Sequence, residues 1–284
     1  MLTVAEIKNI LRQERLSISK RRGQNFLVER AWQEKIIAAS ALKKDDAVLE
    51  IGPGLGALTE ELARQAGWVF AVEKDKALAR ILQQQLSGYQ NLTILHQDIL
   101  EVEIRKLTTQ KIKVIGNLPY YITTPIIGYL LEKQLETITE IFITVQDEVG
   151  RRLAAKCGGK DYSSLSVLIQ YFSRPKILFS IPKRAFYPQP RVDSVFVRLE
   201  ILPEPSVKVS DQEQFFKIVH GCFRQRRKTI LNSLAHQLSA GRKSEVAQAL
   251  AEAGLDPGTR PEQLGLDEFA KIKAVFDQRR IKIE

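Results

Sequence analysis

Residues 47–56 read AVLEIGPGLG, five mostly apolar residues followed by glycines at alternating positions, Gly52, Gly54 and Gly56. The first half has the composition of a short buried strand. The second is a turn in which the backbone can approach a ligand closely, and Leu58 to Ala66 continue at helical spacing. The alternation spreads outward from there. WVFAVE (68–73) is a strand and 76–86 a helix; LTILHQ (92–97), KVIGN (113–117) and ITEIFITVQ (138–146) are further strands. Strands and helices alternating through short connections predict an α/β fold, a mostly parallel sheet covered on both faces. KILFSI (176–181) and DSVFVRLEIL (193–202), separated by little but a Pro-rich turn, predict an antiparallel hairpin at one edge.

Pro203 and Pro205 mark a linker, beyond which the pattern is all helical. Phe215, Val219, Phe223 and Ile230 form one apolar stripe, and 244–253 and 267–279 continue in the same style. Two domains are therefore expected, residues 1–203 and a small all-α domain at 204–284. Upstream of the sheet, residues 4–18 have amphipathic helical spacing and lead into a basic stretch with Lys20, Arg21 and Arg22 consecutive.

Over the 284 residues, 43 Lys and Arg face 33 Asp and Glu, a net charge of +10. The excess suits a polyanionic partner, since each phosphate neutralised releases condensed counterions. Cys157 and Cys222 have neither CxxC nor Cys/His spacing, which predicts reduced thiols and no metal site. No apolar run reaches membrane-spanning length and no signal-peptide core opens the chain, so a soluble cytoplasmic protein is expected.

The glycine loop alone allows three readings: a turn that merely packs strand on helix, a dinucleotide site, or an adenosyl site. It lacks the third glycine of GxGxxG, because position 57 is Ala57, and it lacks the Lys-Ser/Thr of a nucleoside-triphosphate loop. Glu73 ends the next strand, where a carboxylate can grip two ribose hydroxyls, and Asp98 ends the third, placed to reach an adenine ring. Together these favour an adenosyl ligand with no pyrophosphate, such as S-adenosyl-L-methionine.

Asn117-Leu118-Pro119-Tyr120 follows the fourth strand, at the carboxyl edge where open α/β sheets bind ligands. As a bare motif it could be a strand end with a turn-forming proline and a core tyrosine. In this order after the glycine loop it resembles the signature of methyltransferases acting on exocyclic amines. The N6 lone pair of adenine is delocalised into its ring and is a poor nucleophile. The Asn117 side-chain oxygen and the Leu118 carbonyl can accept from the amine and localise that pair. Pro119 stiffens the turn, and Tyr120 can stack on a base taken out of its own stack.

With these motifs in hand the chain resembles the KsgA (RsmA) family of rRNA adenine dimethyltransferases along essentially its whole length. GQNFL (23–27), FYPQPRVDS (186–194), QDEVGRRLAAK (146–156), FRQRRKTILNSL (223–234) and the closing RPEQLGLDEFA stretch carry the likeness. Asp147 and Arg22 depart from the usual pattern. The resemblance implies a Rossmann-like class I methyltransferase sheet with a helical rRNA-binding domain. It implies dimethylation of the N6 amines of two adjacent adenosines in the 3′-terminal hairpin loop of small-subunit rRNA, as part of small-subunit biogenesis. A monomer acting on the small subunit or its precursor is expected. Gln24, Asn25 and Leu27 would close over the methionine end of the donor, with Gly52, Gly54, Gly56, Glu73, Lys74, Asp98, Ile99 and Asn117 completing its site. Phe186 would approach the target adenine opposite Tyr120. Lys20, Arg21 and Arg22, with Arg224, Arg227 and Lys228 on one helical face, would contact RNA. The related erythromycin-resistance methyltransferases share the catalytic motifs but act on large-subunit rRNA. A dehydrogenase and a non-catalytic RNA-binding assembly factor are the rival readings.

Overall fold

In the computed structural model, which describes residues 2–14, 16, 24–225, 227–238 and 241–283, the amino-terminal helix covers Val4–Gln13 (α1). It starts where Thr3 and Glu6 cap each other: the Glu6 carboxylate accepts from the Thr3 N–H at 2.7 Å, and the Thr3 hydroxyl from the Glu6 N–H at 3.3 Å. Its apolar face buries Ile7 and Leu11 against Phe26, Leu55, Leu78 and Ile81. Lys20, Arg21 and Arg22 lie outside the described residues.

A two-residue strand, Phe26–Leu27 (β1), precedes the helix Arg30–Ala39 (α2). The alternation read from the sequence then unfolds: Ala47–Ile51 (β2), Thr59–Gln65 (α3), Trp68–Glu73 (β3), Lys76–Gln85 (α4), Leu92–His96 (β4), Ile112–Asn117 (β5), Thr123–Lys133 (α5) and Ile138–Gln146 (β6). Next come Asp147–Leu153 (α6), Ser164–Phe172 (α7), Ser173–Ile181 (β7), Phe186–Tyr187 (β8) and Ser194–Ile201 (β9). The carboxy-terminal helices are Gln212–Phe223 (α8), Ile230–Ala235 (α9), Lys243–Glu252 (α10) and Leu266–Gln278 (α11). No helix among the described residues is long and apolar enough to cross a membrane.

Seven strands form one sheet in the order β4-β3-β2-β5-β6-β9-β7. β2 pairs in parallel with both β3 and β5, and β4 and β6 extend the parallel arrangement on either side. β9 runs antiparallel to β6, so the late hairpin sits at the edge as the sequence predicts. Every residue of β2 is buried, and Val48, Leu49, Val114, Ile115, Ile141 and Ile143 are fully enclosed. Each such side chain contributes about 1.5–3 kcal/mol of burial. Strand order reverses between β2 and β5, and the crevice at their carboxyl ends is where sheets of this kind accept ligands.

The chain packs as two compact units that interleave in sequence. One holds the described residues up to Gly150 together with Pro175–Ile201; the other holds Arg151–Arg174 and the described residues from Leu202 on. The chain passes between the units after Gly150, Arg174 and Ile201, so a single cut at residue 203 leaves out the excursion through 151–174. The reason lies in α7, an apolar helix whose Tyr171 and Phe172 pack on Phe215 and Phe216 of α8, with ring centroids 5.2–5.8 Å apart.

The helical face proposed for Arg224, Arg227 and Lys228 is not formed. α8 ends at Phe223 with Arg224 as its cap, and the chain turns, Lys228 N–H donating to the Gln225 carbonyl at 2.9 Å. The Thr229 hydroxyl then caps α9 by accepting from the Asn232 N–H. A threonine that satisfies a helix start prevents the previous helix from running through it. The three basic side chains are exposed on this turn.

Candidate active site

The carboxyl ends of β2, β3, β4 and β5 open into a cavity of about 440 Å³. Gly52, Gly54, Glu73, Lys74, Asp98, Ile99, Asn117, Pro119 and Phe186 lie on its wall, joined by Gln24, Asn25 and Leu27. One local sequence, Glu73-Lys74-Asp75, divides three tasks. Glu73 ends β3 buried and faces the cavity. Lys74 turns outward and pairs with Asp98 at 2.5 Å, while Asp75 caps α4 by accepting from the N–H groups of Ala77 and Leu78.

The Glu73 carboxylate secures the glycine loop, accepting from the Gly54 N–H at 3.0 Å and the Asp75 N–H at 2.8 Å. Burial nonetheless raises its pKa above the ordinary value. Burial also acts to raise that of Asp98, but Lys74 and the Leu100 N–H outweigh it and hold the carboxyl below its usual value. Gly54 has φ +59°, and a Cβ there would meet the Phe26 ring at 3.1 Å, so only glycine lets Phe26 lie across the loop.

Gly56 is not on this wall. At its φ of +82° a Cβ would come 2.7 Å from a Leu82 methyl, so it serves the packing of the loop on α4.

The tetrad Asn117-Leu118-Pro119-Tyr120 is pinned at every residue. The Asn117 side-chain Nδ2 donates to the Asn25 carbonyl at 2.9 Å. A carbonyl can only accept, so this contact fixes which way the amide faces and leaves Oδ1 as the acceptor, with no donor to it among the described residues. Leu118 N–H donates to the Thr144 carbonyl at 3.2 Å, and the Pro119 carbonyl accepts from Ile122 N–H and the Thr123 hydroxyl, both at 3.1 Å. Tyr120 and Ser194 share a hydroxyl hydrogen bond of 3.0 Å, and burial raises the tyrosine's pKa. The Leu118 side chain is buried, and neither it nor Tyr120 lines the cavity.

Two distant motifs meet beside the tetrad. Phe26 and Leu27 of β1 pair antiparallel with Tyr187 and Phe186 of β8, and Val28 N–H donates to the Ala185 carbonyl at 2.8 Å. Phe186 is thereby held, almost fully buried, as part of the wall.

Sequence reasoning did not single out Glu50, Phe26, Tyr121, Ile122 or Thr144, all on this wall. Glu50 is the least expected, a carboxyl inside a fully buried strand. Its Oε2 and the Thr59 hydroxyl are enclosed together, close enough to interact but without a well-formed hydrogen bond to any described residue. Burial, opposed by the Thr59 hydroxyl and reinforced by the neighbouring Glu73, pushes Glu50 up to about 8. A buried acceptor without a well-formed hydrogen bond, two carboxyls facing one cavity and a flexible-backbone loop fit a ligand that carries positive charge and ribose hydroxyls. A bound cation would favour ionised Glu50.

In the empty protein, folded Glu50 keeps its proton between its ordinary value of 4.5 and about 8, whereas the unfolded chain has lost it. Stability should therefore fall as pH rises through that window, by up to about 1.4 kcal/mol per pH unit from this group. Thermal or denaturant unfolding across pH checks this: Glu50→Gln should flatten the slope, and an unaltered slope would refute it.

The family profile for ribosomal RNA adenine dimethylase matches residues 15–278. A ribosomal RNA small subunit methyltransferase A of Moorella thermoacetica is 44% identical over 274 residues, covering 93% of this chain and 94% of that one. A protein of the same name from Enterococcus faecalis is 40% identical, covering 98% and 97%. Among solved structures, the 23S rRNA methyltransferase ErmE superposes with a TM-score of 0.68 at 30% identity, over 89% of this chain and all of that one. A dimethyladenosine transferase from Plasmodium falciparum shares the fold, with a TM-score of 0.76 at 24% identity over 91% of this chain and all of that one. By its sequence over nearly its full length, the chain belongs to the ribosomal RNA adenine dimethylase family.

Proposed function

We propose that this protein transfers methyl groups from S-adenosyl-L-methionine to the N6 amines of two adjacent adenosines in the 3′-terminal hairpin loop of small-subunit rRNA. The observation that carries the reading is the Asn117 amide, oriented by the Asn25 carbonyl beside the glycine loop. The small-subunit assignment draws on the named relatives, 44% and 40% identical against 30% for the large-subunit enzyme.

The donor supplies a methyl carbon on a sulfonium whose bond breaks toward a neutral thioether. Glu73 accepts from the ribose hydroxyls while it holds the glycine loop, and Glu50 faces the cationic end. Asn117 Oδ1 and the Leu118 carbonyl accept hydrogen bonds from the two N6–H groups in the first transfer, and one of them from the remaining N6–H in the second, which localises the lone pair for attack. After the C–N bond forms, the nitrogen gives a proton to solvent. Preorganised acceptors at the reacting centre act without reorganising during the reaction. Phe186 and Tyr120 hold the extruded base, and Gln24, Asn25 and Leu27 keep water from the methyl group. The protein acts as a monomer in the cytoplasm, on the small subunit or its precursor, and contributes to subunit biogenesis. Mass spectrometry of rRNA from cells lacking and then regaining the protein should show N6,N6-dimethyladenosine lost and restored at the two adenosines, with large-subunit rRNA unaltered.

Arg224, Arg227 and Lys228 on the turn after α8, with Lys20, Arg21 and Arg22, hold the RNA backbone. Neutralising Arg224, Arg227 and Lys228 together should weaken subunit binding and leave donor affinity unchanged. The log–log salt dependence should become shallower by at most about 0.7–0.9 per lost phosphate contact. An identical salt slope would make this turn merely solvated.

A further inference from the structure

Three large apolar side chains are exposed among the described residues: Trp68, Tyr121 and Val192. Two of them have an evident place. Trp68 opens β3, where its indole N–H donates to the Thr93 hydroxyl at 3.1 Å and its ring lies 6.3 Å from that of Phe70. Tyr121 lies on the cavity wall. Val192 is 44% exposed and is not on that wall. It belongs to residues 187–193, between Phe186 and β9, where Gln189, Arg191 and Asp193 are exposed as well.

This segment is fixed at several points beside the tetrad. Phe186 at one end is part of the cavity wall, and Ser194 at the other shares its hydrogen bond with Tyr120. The Asp193 carboxylate accepts from the Lys183 N–H at 2.9 Å, which closes the loop on itself, and the Asp193 carbonyl accepts from the Asp147 N–H at 3.1 Å. Pro188 and Pro190 restrict the backbone between these anchors. Val192 stands two residues before Ser194, so its Cα lies within about 7 Å of the residue that touches Tyr120. An apolar side chain is thus presented to solvent on a stiff loop next to Phe186 and Tyr120, with the cationic Arg191 as its neighbour. RNA offers a partner for each: base faces for the first and a phosphate for the second. When a base leaves its stack, it leaves an apolar gap, and proteins that unstack bases insert apolar side chains at such steps.

We propose that Val192 is a wedge that enters the base stack of the RNA where the target adenosine has turned out into the cavity, while Arg191 holds a neighbouring phosphate. This rests on the reading that the substrate is an adenosine within RNA. Val192 stabilises the extruded state from the RNA side and takes no part in the chemistry of the amine.

The test is steady-state methylation of unmethylated small subunits by wild-type protein, Val192→Ala, Val192→Thr and Val192→Ile. Val192→Ala should lower kcat/KM by about tenfold, the worth of the apolar surface removed. Val192→Thr keeps the shape but adds a hydroxyl, and should lose about threefold or more; Val192→Ile should stay within about twofold of wild type. Because the side chain is exposed, all three should keep the wild-type melting temperature and the wild-type affinity for S-adenosylmethionine. The salt dependence of subunit binding should be unchanged in Val192→Ala and shallower in Arg191→Gln, by about 0.7–0.9 in log–log slope. With 2-aminopurine in place of the target adenine, saturating wild-type protein should raise the fluorescence as the base unstacks, and Val192→Ala should raise it less. Wild-type kcat/KM in Val192→Ala, or an equal fluorescence rise in both proteins, would overturn the proposal. So would a loss of donor affinity in Val192→Ala, which would tie the loop to the donor site, or a wild-type protein that methylates the subunit without raising the fluorescence. Wild-type protein that methylates no adenosine of the small subunit would instead remove the reading beneath it.

Discussion

Asn117→Ala should lower methyl transfer at saturating substrate by about two orders of magnitude or more. The side chain has two tasks that alanine cannot perform. In the proposed function Oδ1 is the preorganised acceptor for the target amine, and Nδ2 anchors the Asn25 carbonyl at 2.9 Å. Losing the first removes an interaction made at the reacting centre, so kcat falls and the donor's affinity is not its main casualty. Losing the second loosens the 24–27 segment on the donor side, and donor affinity should weaken by no more than a few-fold, about the worth of one neutral hydrogen bond. Asn117→Asp separates the tasks, because it keeps an acceptor but sets a carboxylate oxygen against the Asn25 carbonyl. It should bind donor less well than Asn117→Ala. Near-normal turnover of Asn117→Ala at saturating substrate would sink the proposed role.

Glu73→Ala should weaken donor binding by on the order of 2–3 kcal/mol, roughly 30- to 150-fold, with the fold retained. In the proposed function both ribose hydroxyls would lose their acceptor, a carboxylate that is itself only 7% exposed. The structure adds a second cause: the same carboxylate holds the N–H groups of Gly54 and Asp75, so alanine also releases the glycine loop. Glu73→Gln keeps one acceptor and should fall between the two. Titration calorimetry with S-adenosylmethionine reads the effect directly. An unchanged affinity in folded Glu73→Ala would mean the cofactor site is misassigned.

Much of the sheet and of this site was legible in the sequence because the deciding residues are contiguous. AVLEIGPGLG joins a strand to its turn, and NLPY joins a strand end to its acceptors, so spacing alone carries their placement. What was not legible depends on the fold bringing remote residues together. The pairing of Phe26 and Leu27 with Tyr187 and Phe186 joins segments far apart in the chain, and two-residue strands leave no periodicity to read. Glu50 sits where strand periodicity asks for an apolar side chain, and only the cavity explains the exception. That Tyr120 is tied to Ser194 while Tyr121 faces the cavity follows from the direction of a turn, which the letters YY do not encode. Arg224, Arg227 and Lys228 have helical spacing, but Thr229 caps the next helix and overrides it. Likewise the apolar residues of α7 suit a sheet domain as well as a helical one, and contact with Phe215 and Phe216 decides the matter.

In the proposed function the amine presented to Asn117 belongs to small-subunit adenosines. Incubating the protein and tritiated S-adenosylmethionine with unmethylated small subunits, and separately with free large-subunit rRNA, tests it most directly. Nuclease digestion then identifies the labelled nucleoside. The account predicts label in N6,N6-dimethyladenosine from the small subunit and none from the large-subunit rRNA; label mainly in large-subunit rRNA would contradict it.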